Sequence, residues 1–254
     1  MNTKRNKASR ALILIMGALV LLGIIIARVH YRNMNTSIDP RIVEAREIYK
    51  KYNAYAQSNA LDSVFYLLDK IESIYSRYTH YAESFEVGVL YNNRAATYLT
   101  LALYSPLFSA DSASQDSLIN MAEEVTNKSI RLYSKWMETF MEMDESQIRR
   151  HISDEFLMDM DGFAKEDIEI FLSNRVKEIQ DAQIETPRRL SVSYTNLGII
   201  NRHRKQYDDA VNCYTNALEL WDQNLSAENN LNILLGRPLK KRTLIQKLFP
   251  PERK

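Results

Sequence analysis

Residues 191–224 read SVSYTNLGIINRHRKQYDDAVNCYTNALELWDQN, and this stretch decides the fold. Its apolar and small residues keep helical time twice, with a polar break (Arg204, Lys205, Gln206) between the two runs. Leu197 and Gly198 fall on the inner face of the first run, and Gly198 is small enough to admit a neighbouring helix closely. Ala210, Tyr214 and Ala217 recur at i, i+4 and i+7 on one face of the second, so the spacing predicts a hairpin of two packed helices.

Tyr194, Leu197, Gly198, Tyr207, Ala210, Tyr214, Ala217 and Leu220 together resemble one repeat of the tetratricopeptide family. Two positions depart from it: Asn201 stands where an aromatic is usual, and Asp222 where a closing proline is usual. The resemblance implies a solenoid of stacked helical hairpins that binds a protein or peptide in its concave face.

Working outward, six glycines in 254 residues leave few turn signals for strands, so an all-α chain is expected. The 45% hydrophobic and 26% charged content is that of a folded protein. A degenerate repeat is expected over about 40–78. Asp39-Pro40 caps its first helix, which runs to about Gln57, and Val64, Leu68, Ile71 and Tyr75 form one face of its second, from Ala60 to Tyr78. Another is expected over about 88–140, where Tyr91, Ala95 and Tyr98 match Tyr194, Gly198 and Asn201. The loop at 105–116 precedes its second helix, with Ala122, Thr126 and Ser129 at the small inner positions. Residues 142–185 carry thirteen acids and five bases and are expected to insert two helices (about 144–158 and 164–184). The stripe Ile168, Phe171, Leu172, Val176 and Ile179 faces the core, and Thr186-Pro187 is expected to restart the chain into the clear repeat. The repeat-like region thus covers 40–236, with a last helical piece at about 227–235.

The N-terminal segment 1–10 holds Lys4, Arg5, Lys7 and Arg10 without an acid, and residues 11–28 follow with the apolar run ALILIMGALVLLGIIIA. A transmembrane anchor is expected there, with a polar linker over 29–39. The positive-inside bias puts the N-terminus in the cytoplasm and the helical domain outside, periplasmic for a bacterial inner membrane. A cleaved signal peptide with a soluble periplasmic domain is the alternative. The tail 237–254 carries seven bases and one acid, so removing it and the N-terminal +4 from the total of +1 leaves −9 for residues 11–236. This basic, apolar tail is expected to cap the last helices, to touch an anionic membrane surface, or to bind an acidic partner or the chain's own acidic helices.

Catalytic signals are missing: His30, His80, His151 and His203 show no metal-binding spacing, and no glycine-rich phosphate loop is present, so neither an enzyme, a cofactor nor a metal is expected. Asp159-Met160-Asp161-Gly162 fails as a calcium loop, because Leu157 and Ile168 stand where carboxylates are required; a helix-ending glycine turn is expected instead. The lone Cys213 can form no intramolecular disulfide. Basic residues do not gather on the repeat faces, so nucleic acid is not expected as a partner.

The groove candidates lie on the free sides of the first helices: Val192, Thr195, Asn196, Ile199, Arg202 and His203 in the clear repeat, and Asn92, Asn93 and Ala96 in the earlier one. Asn93 and Asn196 share a register. Thr195 occupies the place of the lysine that family members use to clamp a terminal carboxylate, so a general peptide groove is expected. The reading is a membrane-tethered scaffold for a protein or peptide partner, in a bacterial cell-envelope complex. A receptor for a small ligand such as a glycan or peptidoglycan fragment is the alternative.

Overall fold

The computed structural model describes residues 38–242 apart from 59 and 106–111, with the backbone alone at 62. Among these residues every regular element is helical. Asp39 caps a short 3-10 turn at Pro40–Ile42, its carboxylate accepting from the Arg41 amide at 2.9 Å. The helices that follow are α1 (Val43–Gln57), α2 (Leu61–Tyr75), the single turn α3 (Thr79–Ala82), α4 (Phe85–Tyr104), α5 (Ser112–Phe140), α6 (Glu145–Leu157), α7 (Lys165–His203), α8 (Tyr207–Leu220) and α9 (Leu225–Leu234). No helix among the described residues is long and apolar enough to cross a membrane; the span expected at 11–28 lies outside them, as does the tail beyond 242.

Three antiparallel hairpins carry the packing: α1 with α2, α4 with α5, and the C-terminal half of α7 with α8. Their cores follow the sequence periodicity. Ile42, Ala45, Ile48 and Tyr52 meet Val64, Leu68, Ile71 and Tyr75 in the first, continuing to Tyr81, Val87 and Leu90. A buried aliphatic side chain of this kind is worth about 1.5–3 kcal/mol. A second core joins Trp136 at the end of α5 to Ile148, Ile152 and Phe156 of α6 and Phe171, Leu172, Val176 and Ile179 of α7. The acidic segment is therefore an amphipathic helix pair whose apolar stripe is buried. A capping box between Asp144 and Gln147 starts α6.

Two hairpins share one close contact. A Cβ on Gly198 would stand 2.4 Å from Tyr214 Cε1, and a Cβ on Gly88 would stand 2.5 Å from Tyr133 Cε1. Both tyrosines are fully buried. Gly88, not Ala95, thus does in α4 what Gly198 does in α7, which corrects the expected register by seven residues, two helical turns along the same face. Around this contact the α4–α5 hairpin is longer: α4 continues sixteen residues past Gly88, whereas α7 continues five past Gly198.

Two further expectations are corrected. The chain does not restart at Thr186-Pro187, because α7 runs unbroken for 39 residues with Pro187 inside it. Proline there removes the amide that would serve the Gln183 carbonyl and costs about 3 kcal/mol. Ile179, Ala182, Thr186 and Leu190 are buried on either side of it, and that packing holds the helix straight through. The turn after α6 is also not capped by glycine: α6 ends at Leu157, Asp159 already has a positive φ of 64°, and Gly162 follows with φ 95° inside the loop.

Candidate partner-binding face

α4 and α7 lie side by side and meet in ascending order along both helices: Glu86 with Arg175, Asn92 with Asn196, then Leu99 with Ile200 in one apolar cluster. They therefore run in the same direction. Their seam is polar. Asn196 Nδ2 donates to Asn92 Oδ1 at 2.9 Å, and Asn92 Nδ2 reaches the Arg189 carbonyl at 3.5 Å. Asn93 Nδ2 donates to the Tyr49 hydroxyl at 3.1 Å, which ties α4 to α1 on the other side.

This corrects part of the expected groove. Asn92, Thr195 and Asn196 are buried and present nothing to a partner. Thr195 Oγ1 donates to the Ser191 carbonyl and accepts from Asn224 Nδ2, so it fixes α9 to α7. Polar side chains in a helix seam are tolerated when they satisfy one another, as these do. The six others remain at least partly accessible: Ala96 and Val192 are exposed, while Asn93, Ile199, Arg202 and His203 are half-buried. Of these, Ile199 packs against the Leu99–Ile119 cluster and Arg202 donates to Asn230 Oδ1 at 2.7 Å.

The residues expected to pack the hairpin do so with one exception. Gly198, Ala210, Tyr214 and Ala217 are buried, and Tyr194 and Leu197 are half-buried. Tyr207 is 52% exposed, because it opens α8 in a stretch (Lys205 to Asp209) that is exposed throughout. Cys213 is buried, and burial raises its thiol pKa, against a hydrogen bond from Asn201 Nδ2. The thiol is thus held in its unreactive form.

A cleft of about 440 Å³ opens between α1, α4 and α7. Arg46, Tyr49 and Lys50 line one wall and Asp181, Glu185 and Arg189 the other, so both signs of charge are available. Arg46 crosses the cleft to pair with Glu178.

Beneath it lies an ionic centre that sequence reasoning missed. The Arg175 guanidinium is buried and pairs with Glu86 and with Glu178. It also sits 4.6 Å from the ring centroid of Tyr81. Burial alone would raise the Glu86 pKa, but Arg175 outweighs it and holds the carboxyl below its ordinary value. Arg175 Nε donates to His80 Nε2 at 2.8 Å, so His80 must keep that nitrogen free and carry its proton on Nδ1. Burial, then the charges of Arg175 and Arg41, lower the His80 pKa to about 2. On the far side Arg41 pairs with Asp39 and donates to the carbonyls of Phe156 and Met158, capping the end of α6. Tyr81 completes the link by donating to Asp39 Oδ2 at 2.8 Å. The centre draws on the 3-10 turn, α3, α4 and α7, so no local motif could reveal it.

Among the described residues no group of three His, Cys, Asp or Glu side chains is placed to hold a metal ion. No family model, no curated protein and no solved structure matches this chain.

Proposed function

We propose that this chain is a tetratricopeptide-type scaffold, tethered to a membrane by residues 11–28, that binds a protein or peptide partner along the face of α1, α4 and α7. One observation carries the reading: two inner helices run in parallel, each backed by its own outer helix through the same glycine-under-tyrosine contact, Gly88 with Tyr133 and Gly198 with Tyr214. Such stacking leaves the free sides of the inner helices as a continuous surface. Ala96 and Val192 stand on it with their side chains in solvent, and the cleft beside Tyr49 adds paired charges that fix orientation. The membrane segment raises the local concentration of a partner held in the same bilayer. A bacterial envelope complex, with the helices in the periplasm, is the setting that the basic N-terminus favours.

The test is partner capture by the full-length protein in its native membranes, beside an Ala96→Asp/Val192→Asp variant. Both positions are exposed, so the variant keeps its fold and helical signal. A partner lost in the variant supports the reading; one retained moves the binding surface elsewhere.

A further inference from the structure

A larger cavity, about 780 Å³, opens on another side of the molecule between α3, α5 and α6 and shares no lining residue with the α1–α4–α7 cleft. This is within the size range of ligand and peptide sites. Its floor is apolar, from Leu132, Trp136 and Ile152. An aromatic series leads from the floor to the rim. Phe85 meets Trp136 edge-on at 5.7 Å, Trp136 meets Phe140 at 5.0 Å, and Phe140 meets the exposed His151 at 5.3 Å.

One wall is cationic. Lys128, Arg131 and Lys135 follow one another at steps of three and four along α5, so all three line the cavity from one helix face. Arg131 is exposed and makes no hydrogen bond or ion pair among the described residues. Lys128 is held by Glu124 one turn back, and Lys135 by Glu83. Both are exposed surface pairs of little net worth, readily exchanged for another carboxylate. Two acids, Glu83 and, on α6, Glu155, also line the cavity. His80 and Arg175 also line the cavity, but His80 is neutral and Arg175 is neutralised by Glu86 and Glu178. Three cations on one helix face run against the overall charge of a body whose residues 11–236 sum to −9.

We infer that this cavity is a second binding site, for an acidic peptide segment whose carboxylates lie along Lys128, Arg131 and Lys135 while an apolar side chain fills the floor over Leu132 and Trp136. The recess favours a polypeptide over a bilayer, because Trp136 at the floor is 5% exposed and a flat membrane surface would meet the rim alone. The net negative charge of the body opposes non-specific adsorption of the same ligand.

The protein carries two tryptophans, so Trp221→Phe leaves Trp136 as the sole reporter. Full-length protein in nanodiscs of zwitterionic lipid is titrated with a short peptide of alternating glutamate and leucine, read by Trp136 emission. Saturable change is expected. Lys128→Gln/Arg131→Gln/Lys135→Gln should weaken binding about tenfold, the sum of three exposed pairs. Glu155→Gln should tighten it, and a lysine–leucine peptide should not bind. All four substitutions are at accessible positions, and opposite effects on affinity cannot come from unfolding. An unchanged affinity in the triple variant, or equal binding of the lysine–leucine peptide, would overturn the inference. So would displacement of the acidic peptide by phosphatidylglycerol vesicles, which would assign the wall to a membrane surface.

Discussion

Gly198 lies so close beneath the ring of Tyr214 that the smallest side chain has no room: a Cβ there would stand 2.4 Å from Cε1. Gly88 stands in the same relation to Tyr133. Alanine would gain about 0.5–1 kcal/mol over glycine from helix propensity. It would also force a fully buried ring aside, at about 1–3 kcal/mol. The steric term wins. Gly88→Ala and Gly198→Ala should each lower the melting temperature, by about 2–4 °C per kcal/mol in a domain of this size. Thermal unfolding followed by circular dichroism checks this; an unchanged or raised midpoint would mean that the rings move aside freely.

The Arg175 centre makes a sharper prediction. Arg175→Met leaves the half-buried Glu86 carboxylate without its ion-pair partner, a loss of up to about 3 kcal/mol. Arg175→Met with Glu86→Leu removes both charges and should recover most of that loss. Urea unfolding of the two variants distinguishes an uncompensated charge from lost packing, since in the latter case the double variant would be no better than the single one.

His80 predicts a pH dependence. Its folded pKa is lowered from 6.5 to about 2, so the unfolded chain binds this proton first as pH falls. Stability is therefore fully present above about pH 6.5 and declines below it, at up to about 1.4 kcal/mol per pH unit. Between pH 7 and 5 the loss from this group is about 2 kcal/mol. Most of the Glu86 titration falls lower and stays out of this window. His80→Gln keeps an acceptor for Arg175 and does not titrate, so urea unfolding of that variant should lose less stability over the same range. Equal losses in both proteins would place the titration elsewhere.

The hairpins were legible in the sequence because their faces are periodic: Val64, Leu68, Ile71 and Tyr75 fall on one stripe and are buried as one. The register of the α4 hairpin was not. Gly88 and Ala95 are seven residues apart, so periodicity assigns both to one face, and only the distant Tyr133 tells them apart. Thr186-Pro187 reads as a helix start because proline suits a first turn as well as a tolerated break; the buried flanks that decide between them are tertiary. Asn92 and Asn196 read as groove residues because both fall on the sides of the first helices that point away from the partner helix. Their mutual hydrogen bond, across 104 positions, is invisible in either segment.

Site-specific photocrosslinking of the full-length protein in its native membranes tests directly whether a partner lies along α4 and α7. The photoreactive residue replaces Ala96, Val192 or, as a control, Tyr66, which is 67% exposed on α2. A partner seated on the inner-helix face should be trapped as the same polypeptide at Ala96 and Val192 and not at Tyr66. Adducts at Tyr66 as abundant as those at the other two positions, or none at Ala96 and Val192, would contradict this placement.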